Sequence, residues 1–553
     1  MELSPSAHAD TFCRDHLPPP GQWPELEFTL PELRYPARLN SAGELLAAGL
    51  AAPGADRPCL LAPGTSWSYG ETAARAAQIA RVLTEDLGLV PGNRVLLRGP
   101  NAPWLAACWL GVVQAGGVAV TTMTMLRAGE LATICEIGQV ALALCDHRFT
   151  ADLAAAGVPG LRITGYGDPG DPAGLDALAA AKPGSFAPVP TAADDVAMIA
   201  FTSGTTGRPK ATMHFHRDLL AIADTFSARV LKPVPADLFT GTPPLAFTFG
   251  LGGLLIFPLR AGAATLLLER ATPAELAGQI AAHGVTVCFT APTGYRAMIA
   301  AGLGDQLRGL RRPVSAGEHL PASTWQAFLD ATGTAIIDGI GSTELLHIFI
   351  SAADGEMKPG STGRPVPGYR AAILDAGGRE LPDGTPGRLA VRGPTGCRYL
   401  AGDRQGSYVQ HGWNITGDTY VRDADGYFWF QARSDDIIVS AGYNIAGPEI
   451  EEALLAHPAV AECGVVAMPD EARGQVVAAF VVLAGDGADP AGPGAAGPEL
   501  ARELQDFVKQ RIAPYKYPRA VEFVATLPRT STGKLQRYKL RQLAAQAARA
   551  RPG

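Results

Sequence analysis

Up to about residue 190, short apolar runs alternate with stretches that have helical spacing. The runs 94–97 (RVLL), 117–121 (GVAVT) and 141–145 (ALALC) read as buried strands. Strands of this kind separated by helices predict doubly wound α/β layers. The longest apolar stretch starts at Trp104 and is interrupted by Gln114, Gly116 and Gly117. It reads as a buried helix, a turn and a strand over 118–120, not as a membrane span. Residues 166–190 are rich in Gly, Pro and Ala and read as a surface connection. The alternation resumes at 196–201 (VAMIAF), 264–268 (ATLLL) and 285–290 (VTVCFT).

After residue 361 the pattern changes. The segments AAIL, GRLAVRG and GYFWFQARSDD are strand-like and separated by Gly and Asp turns, which predicts a smaller β-rich subdomain. From residue 448 the helical PEIEEALLAH leads into the strand-like VAECGVVAMP and VVAAFVVL, a compact α+β tail with its own core. Residues 485–498 (GDGADPAGPGAAGP) read as a loop within that tail. The expected fold class is α/β: a large front domain of doubly wound subdomains plus a β-rich one, then a small α+β domain.

Composition narrows the function classes. The chain has 553 residues, 47% of them hydrophobic and 18% charged, enough apolar material for a large core. A net charge of −7 supplies no global basic field for nucleic acid or an anionic membrane. Acidic substrates must therefore be met by local cations and backbone N–H groups. Eight scattered cysteines show no C-x-x-C pair and no zinc spacing, so reduced, buried thiols are expected. The polar N-terminus lacks the basic start and apolar stretch of a signal peptide, and a cytoplasmic enzyme is expected.

The strongest chemical signal runs from Phe201 to Lys210 (FTSGTTGRPK) and follows an apolar strand. Its glycines let the backbone turn and present N–H groups, its hydroxyls add donors, and Lys210 adds charge. Such a loop can wrap a polyphosphate, although it lacks Walker spacing.

That string resembles the phosphate-loop signature of the adenylate-forming superfamily, which includes acyl-CoA synthetases, luciferases and peptide-synthetase adenylation domains. Further signatures follow in order: AFTFG at 246–250, GIGSTE at 339–344, TGD at 416–418, RSDD at 433–436 and PRTSTGK at 528–534. Within the superfamily the likeness is to benzoate-type aryl-CoA ligases, and specifically to 2-aminobenzoate (anthranilate)–CoA ligases. It is carried by MHFH at 213–216, PPLAFTFGLG at 243–252, SAGE at 315–318, DGIGSTELLHIFIS at 338–351, DDIIVSAGYNIAGPEIE from 435 and the opening HLPPPGQWPELEF. Two positions depart from many members: Ala432 stands where they have Gly, and Val439 where they have Lys.

The resemblance implies an ATP-dependent ligase for an aromatic carboxylate of the 2-aminobenzoate or benzoate type. ATP, Mg2+ and coenzyme A are the implied cofactors, and aryl-CoA, AMP and diphosphate the products, formed through an aryl-adenylate. By likeness, Thr202, Ser203, Gly204, Thr205, Thr206 and Lys210 hold the outer phosphates. Ala316, Gly317, Glu318, Asp338, Gly339, Ile340 and Thr343 frame the nucleotide. Glu344 holds the metal, and Asp418 takes the ribose hydroxyls with Arg433 beside it. Lys534 bridges the attacking carboxylate and the α-phosphate, stabilising charge that develops in the transition state. Thr343, Glu344 and Lys534 are thus the catalytic candidates. Phe247, Thr248, Phe249, Gly339, Gly341 and His347 would line the acid pocket, the glycines leaving room for a ring. Ser440, Gly442 and Tyr443 would face CoA. The implied organisation is a front domain over 1–434, a hinge at 435–436 turning on Asp435, and a mobile domain over 437–553. His214 and His216 are expected to pack below the phosphate loop. The expected partners are small molecules only, with no nucleic acid and no membrane, for a monomer or homodimer. A 2-hydroxybenzoate (salicylate)–CoA ligase and a stand-alone adenylation enzyme that loads a carrier protein are the alternatives.

Overall fold

The computed structural model describes the chain except residues 1–2, 52–53, 203–208, 401–403, 434–435, 441–442, 471–473, 485–496, 513, 531–533 and 551–553. Two large sheets build the front lobe. The first has the order Arg162–Tyr166, Leu142–Asp146, Arg94–Arg98, Val118–Thr122, Val196–Thr202, Lys210–Phe215, with only the last strand antiparallel to its neighbour. Its middle strands are buried on both faces, which is why they read as continuous apolar runs rather than alternating ones.

The second sheet has nine strands. Its parallel centre runs Ile337–Gly341, Arg312–Ala316, Val287–Thr290, Leu238–Gly241, Ala264–Leu266, Pro58–Ala62, and antiparallel strands close both edges. The helix Pro103–Gln114 is buried almost all round and shares one apolar core with residues of both sheets. A helix covered on every side has no polar face, and this one corresponds to the uninterrupted run beginning at Trp104.

The β-rich subdomain pairs Arg370–Leu374, Gly387–Arg392 and Trp413–Arg422, with Val409–Gln410 and Phe428–Arg433 added to the last of these. The small C-terminal domain is built on the strands Val460–Asp470, Gly474–Leu483 and Ala520–Phe523. Ile450, Leu454 and Leu504 pack in one of its cores, Leu540 and Ala544 in another.

Some expectations need correction. Residues 166–190 are not merely a surface connection, because they contain the helix Leu175–Ala180, which buries Leu175 and Ala179. The strand expected over 264–268 ends at Leu266. Most of the 485–498 loop lies outside the described residues. All eight cysteines are free, and all but Cys463 are buried. Among the described residues no helix is long and apolar enough to cross a membrane.

In a doubly wound sheet, ligands meet the carboxyl ends of the parallel strands, where loops are free to vary. Here those ends are Thr202 on the first sheet and Ala316 and Gly341 on the second.

Candidate active site

Thr202 ends one strand and Lys210 begins the next, and antiparallel pairing sets the two directly opposite each other. The two ends of the expected phosphate loop are thus adjacent. Ser203, Gly204, Thr205 and Thr206 lie outside the described residues. Lys210 Nζ stands 5.8 Å from the centroid of the Tyr399 ring, within cation–π reach. The Tyr399 hydroxyl donates a 2.6 Å hydrogen bond to Glu344 Oε1. Burial and the neighbouring Glu344 charge both raise the Tyr399 pKa, so this phenol stays a donor.

Glu344 sits in a turn after the strand Ile337–Gly341 and is not at a helix start. The turn is closed by Ser342, whose Oγ accepts from Leu345 N at 3.2 Å and pairs with the Tyr408 hydroxyl at 3.2 Å. Leu346 N donates to the Thr343 carbonyl at 3.1 Å.

On the β-rich side, Asp418 and Arg433 are register partners on neighbouring strands. Arg433 Nη1 donates to Asp418 Oδ1 at 3.3 Å. The expected ribose-binding turn is instead part of the strand Trp413–Arg422, kinked where Gly417 has φ +79°. A Cβ at Gly417 would lie 3.0 Å from Arg433 Nη2, so glycine keeps the arginine against Asp418.

Lys534 reaches this cleft from the C-terminal domain. A Cβ built on Gly317 would lie 3.2 Å from Lys534 Cε and 3.8 Å from Nζ, and Gly317 itself has φ +92°. The residue retains exposed surface, but its ammonium stands among protein atoms. That desolvation lowers its pKa. Glu318, Asp418 and Glu344 oppose the shift, and Arg433 reinforces it. The Lys534 ammonium thus lies in the field of carboxylates from three other stretches of chain, Glu318, Asp418 and Glu344.

On the second sheet, Ala316 pairs with Gly339 and Ser315 with Asp338 across parallel strands. Burial pushes the Asp338 carboxyl up to about 8, and its Oδ1 makes no hydrogen bond among the described residues. Ile340 is half-buried on the same strand. Glu318 faces the C-terminal domain, where Arg529 Nη1 lies 3.4 Å from its Oε1.

His347 is enclosed by Phe226, Phe249, Phe257 and Phe289, with ring centroids between 4.6 and 6.4 Å away. Its Nε2 lies 3.4 Å from the Phe249 carbonyl, while Nδ1 is buried with no hydrogen bond among the described residues. Burial pushes this imidazole down to about 3, so it is neutral. Phe247 precedes the short helix Thr248–Leu251, in which Thr248 is buried. The glycines at 339 and 341 also allow close packing within the protein. A Cβ at Gly339 would lie 2.7 Å from Ile348 Cγ2, and one at Gly341 would lie 2.7 Å from the His347 carbonyl carbon. A side chain at either position would therefore collide with the segment 347–348.

His216 shares a 3.0 Å contact from its Nδ1 with Ser41 Oγ, and His214 is wholly buried; burial pushes them down to about 3 and about 4. Ser440 is buried and pairs in register with Tyr443. Asp435 and Gly442 lie outside the described residues, and so does the Val439 side chain. Ala432 is fully buried. Tyr399, Tyr408, Arg529, Phe226, Phe257 and Phe289 are site neighbours that sequence reasoning missed. Among the described residues no group of three or more His, Cys, Asp or Glu could hold a metal ion.

Residues 48–399 match the model of the AMP-binding enzyme family, and residues 449–534 match that of the AMP-binding enzyme C-terminal domain. The chain belongs to the AMP-binding enzyme family. It is 34% identical over 524 residues to the benzoate–CoA ligase of Thauera aromatica, spanning 93% of this chain and 98% of that one. It is 32% identical to the 3-hydroxybenzoate–CoA ligase of Aromatoleum sp. (strain CIB), over 91% and 97% of the two chains. Among solved structures, the anthranilate CoA ligase AuaEII in complex with anthranoyl-AMP superposes with a TM-score of 0.88 at 32% identity, covering 94% of this chain and 100% of that one. A benzoate CoA ligase from Burkholderia xenovorans LB400 gives a TM-score of 0.83 at 32% identity, over 91% and 100%. These family members have the same large α/β domain and small C-terminal domain.

Proposed function

We propose that this chain is an ATP-dependent aryl-CoA ligase that joins a carboxylate of the 2-aminobenzoate or benzoate type to coenzyme A through an aryl-adenylate. The observation that carries the reading is the Lys534 side chain lying against Gly317, with its ammonium in the field of Glu318, Asp418 and Glu344. A carboxylate attacking the α-phosphate brings two anions together, so the site must supply positive charge where they meet. Lys534 supplies it, and its charge counts most when negative charge builds in the transition state. Lys210 and Thr202, with residues 203–206, hold the outer phosphates. Asp418 accepts from the ribose hydroxyls and is oriented by Arg433. Phe249 and its aromatic neighbours exclude water from the acid, and neutral His347 offers it a hydrogen bond without a charge.

Mg2+ fits the residues present. This hard ion keeps several waters and needs only one or two carboxylates besides the phosphates. Glu344 provides that single carboxylate, with Oε1 fixed by Tyr399. Bound there, the ion would neutralise phosphate charge.

In the second step the CoA thiol attacks the adenylate carbonyl and AMP leaves. No nucleophilic triad is needed for so good a leaving group. We place the front domain at 1–434, the hinge at 435–436 and the mobile domain at 437–553, with Ser440, Gly442 and Tyr443 facing CoA. The same reading makes this a cytoplasmic enzyme acting as a monomer or homodimer.

The test is AMP formation, with and without CoA, across benzoate, 2-aminobenzoate, 2-hydroxybenzoate, phenylacetate and octanoate. Preference for an aryl acid, with aryl-CoA as product, is expected. Preference for octanoate overturns the aryl assignment, and adenylate formation without transfer to CoA favours a carrier-loading enzyme.

A further inference from the structure

We propose that Glu318 and Arg529 form an interdomain latch that sets Lys534 for adenylate formation and has no part in transfer to CoA. The inference rests on the ligase reading above and adds a positioning pair to it.

Arg529 and Lys534 sit on one closed arm of the C-terminal domain. Arg529 bridges Leu535, Thr530 N donates to the Lys534 carbonyl at 2.7 Å, and Lys534 N donates to Thr530 Oγ1 at 3.0 Å. The two ends of the arm are therefore tied to each other, and whatever fixes Arg529 also fixes the base of Lys534.

Arg529 is held from two directions. Its Nη2 lies 2.7 Å from Glu462 Oε2, on the domain's own strand Val460–Asp470. Its Nη1 lies 3.4 Å from Glu318 Oε1, on the front lobe. Glu462 keeps the guanidinium aimed outward from its own domain, and Glu318 receives it. Gly317, the residue against which the Lys534 stem rests, is next to Glu318 in the chain. Socket and landing surface are therefore neighbours, one for each end of the arm.

Electrostatics give the contact a direction. Glu318 is largely buried, which raises its carboxyl pKa; Arg529, then Lys534, then Arg296 and a hydrogen bond from Thr293 act to lower it. A buried carboxylate that loses its cations is costly, so the front lobe favours the docked arm. Two of the cations that face Glu318 leave together when the C-terminal domain moves away.

The experiment uses Arg529→Gln in the full-length protein. Acid-dependent ATP–diphosphate exchange should fall at least about tenfold, as expected when a catalytic group is displaced by a fraction of its length. Conversion of supplied aryl-adenylate to aryl-CoA should stay within about twofold. Arg529→Lys should recover most of the exchange, and Glu318→Gln should reproduce the selective loss. Equal loss in both half-reactions would mean a merely structural role, and no loss in either would mean no latch; each outcome overturns the proposal. A second readout needs no turnover. Energy transfer between dyes placed at the exposed positions Val234 and Tyr538 reports docking, and Arg529→Gln should reduce the docked population in the presence of ATP. If the unmodified protein activates none of the acids, the ligase reading fails. The latch is then judged on docking alone, where a wild-type signal from Arg529→Gln overturns it.

Discussion

Replacing Tyr399 with Phe removes one hydroxyl and leaves the ring beneath Lys210 in place. The lost contact is the 2.6 Å bond to Glu344 Oε1. Hydrogen bonds to charged groups contribute about 1.5–3 kcal/mol when well sheltered. Glu344 is only half-buried, so water can replace part of the donor, and about 1 kcal/mol is the better figure. That corresponds to about a fivefold change in an equilibrium constant. The loss should fall on binding of the metal–nucleotide complex, because the hydroxyl orients the carboxylate and does not touch the reacting atoms. We expect KM for ATP·Mg2+ to rise about fivefold with kcat nearly unchanged. Calorimetric titration of ATP·Mg2+ into the same variant combined with Lys534→Ala should show the same factor without turnover. Tyr399→Leu should lose about 0.5–1 kcal/mol more, since the ring under Lys210 goes too. Unchanged or tighter Mg2+-dependent binding by Tyr399→Phe would refute the orienting role.

Lys534→Ala should lower acid-dependent diphosphate exchange by about 10²-fold or more while sparing thioester formation from supplied aryl-adenylate. Near-normal exchange would remove the lysine from the first step. Arg398 and Asp218 form a 2.7 Å ion pair with both side chains fully buried. Arg398→Met should cost about 3–5 kcal/mol in denaturant unfolding because it strands Asp218, and Arg398→Met with Asp218→Leu should recover much of that. Asp338 is raised by burial from the ordinary 3.8 to about 8. The folded state thus binds its proton more tightly than the unfolded chain, and stability is lost as pH rises from about 4 through about 8. Asp338→Asn should therefore raise Tm relative to the unmodified chain at pH 9 and much less at pH 4; a constant difference would contradict the shift.

The α/β architecture was readable because buried parallel strands such as 94–98 and 118–122 must be apolar on both faces, and that pattern is local. The strand over 264–268 was overdrawn because Leu267 and Leu268 are buried without extending the sheet, and apolarity alone cannot separate the two cases. The TGD segment read as a turn because its residues favour turns, whereas pairing on either side of it keeps the strand running through a kink at Gly417. Phe226, Phe257 and Phe289 were not legible as neighbours of His347, since three apolar segments each needed an aromatic residue for its own core. Arg529 lay within the PRTSTGK signature but its partner Glu318 was not legible there, and Tyr399 was missed because contacts between distant segments leave no local mark. A tyrosine in one loop and a glutamate 55 residues away carry no joint signal until the chain brings them together.

In the proposed scheme, the latch and Lys534 together place departure of the C-terminal domain after the first step. With the arm docked, Arg529 and Lys534 bring two positive charges to a cleft whose front-lobe carboxylates are Glu318, Glu344 and Asp418. While ATP is intact, its phosphates add a large negative charge, and removing two cations from a desolvated site is then expensive. Departure of diphosphate removes most of that negative charge. What still holds Lys534 is the singly charged acyl phosphate of the adenylate, and on the front lobe Arg529 keeps its pair with Glu318. The electrostatic cost of undocking is therefore lowest once the adenylate has formed and diphosphate has gone, which orders the two half-reactions without any separate signal.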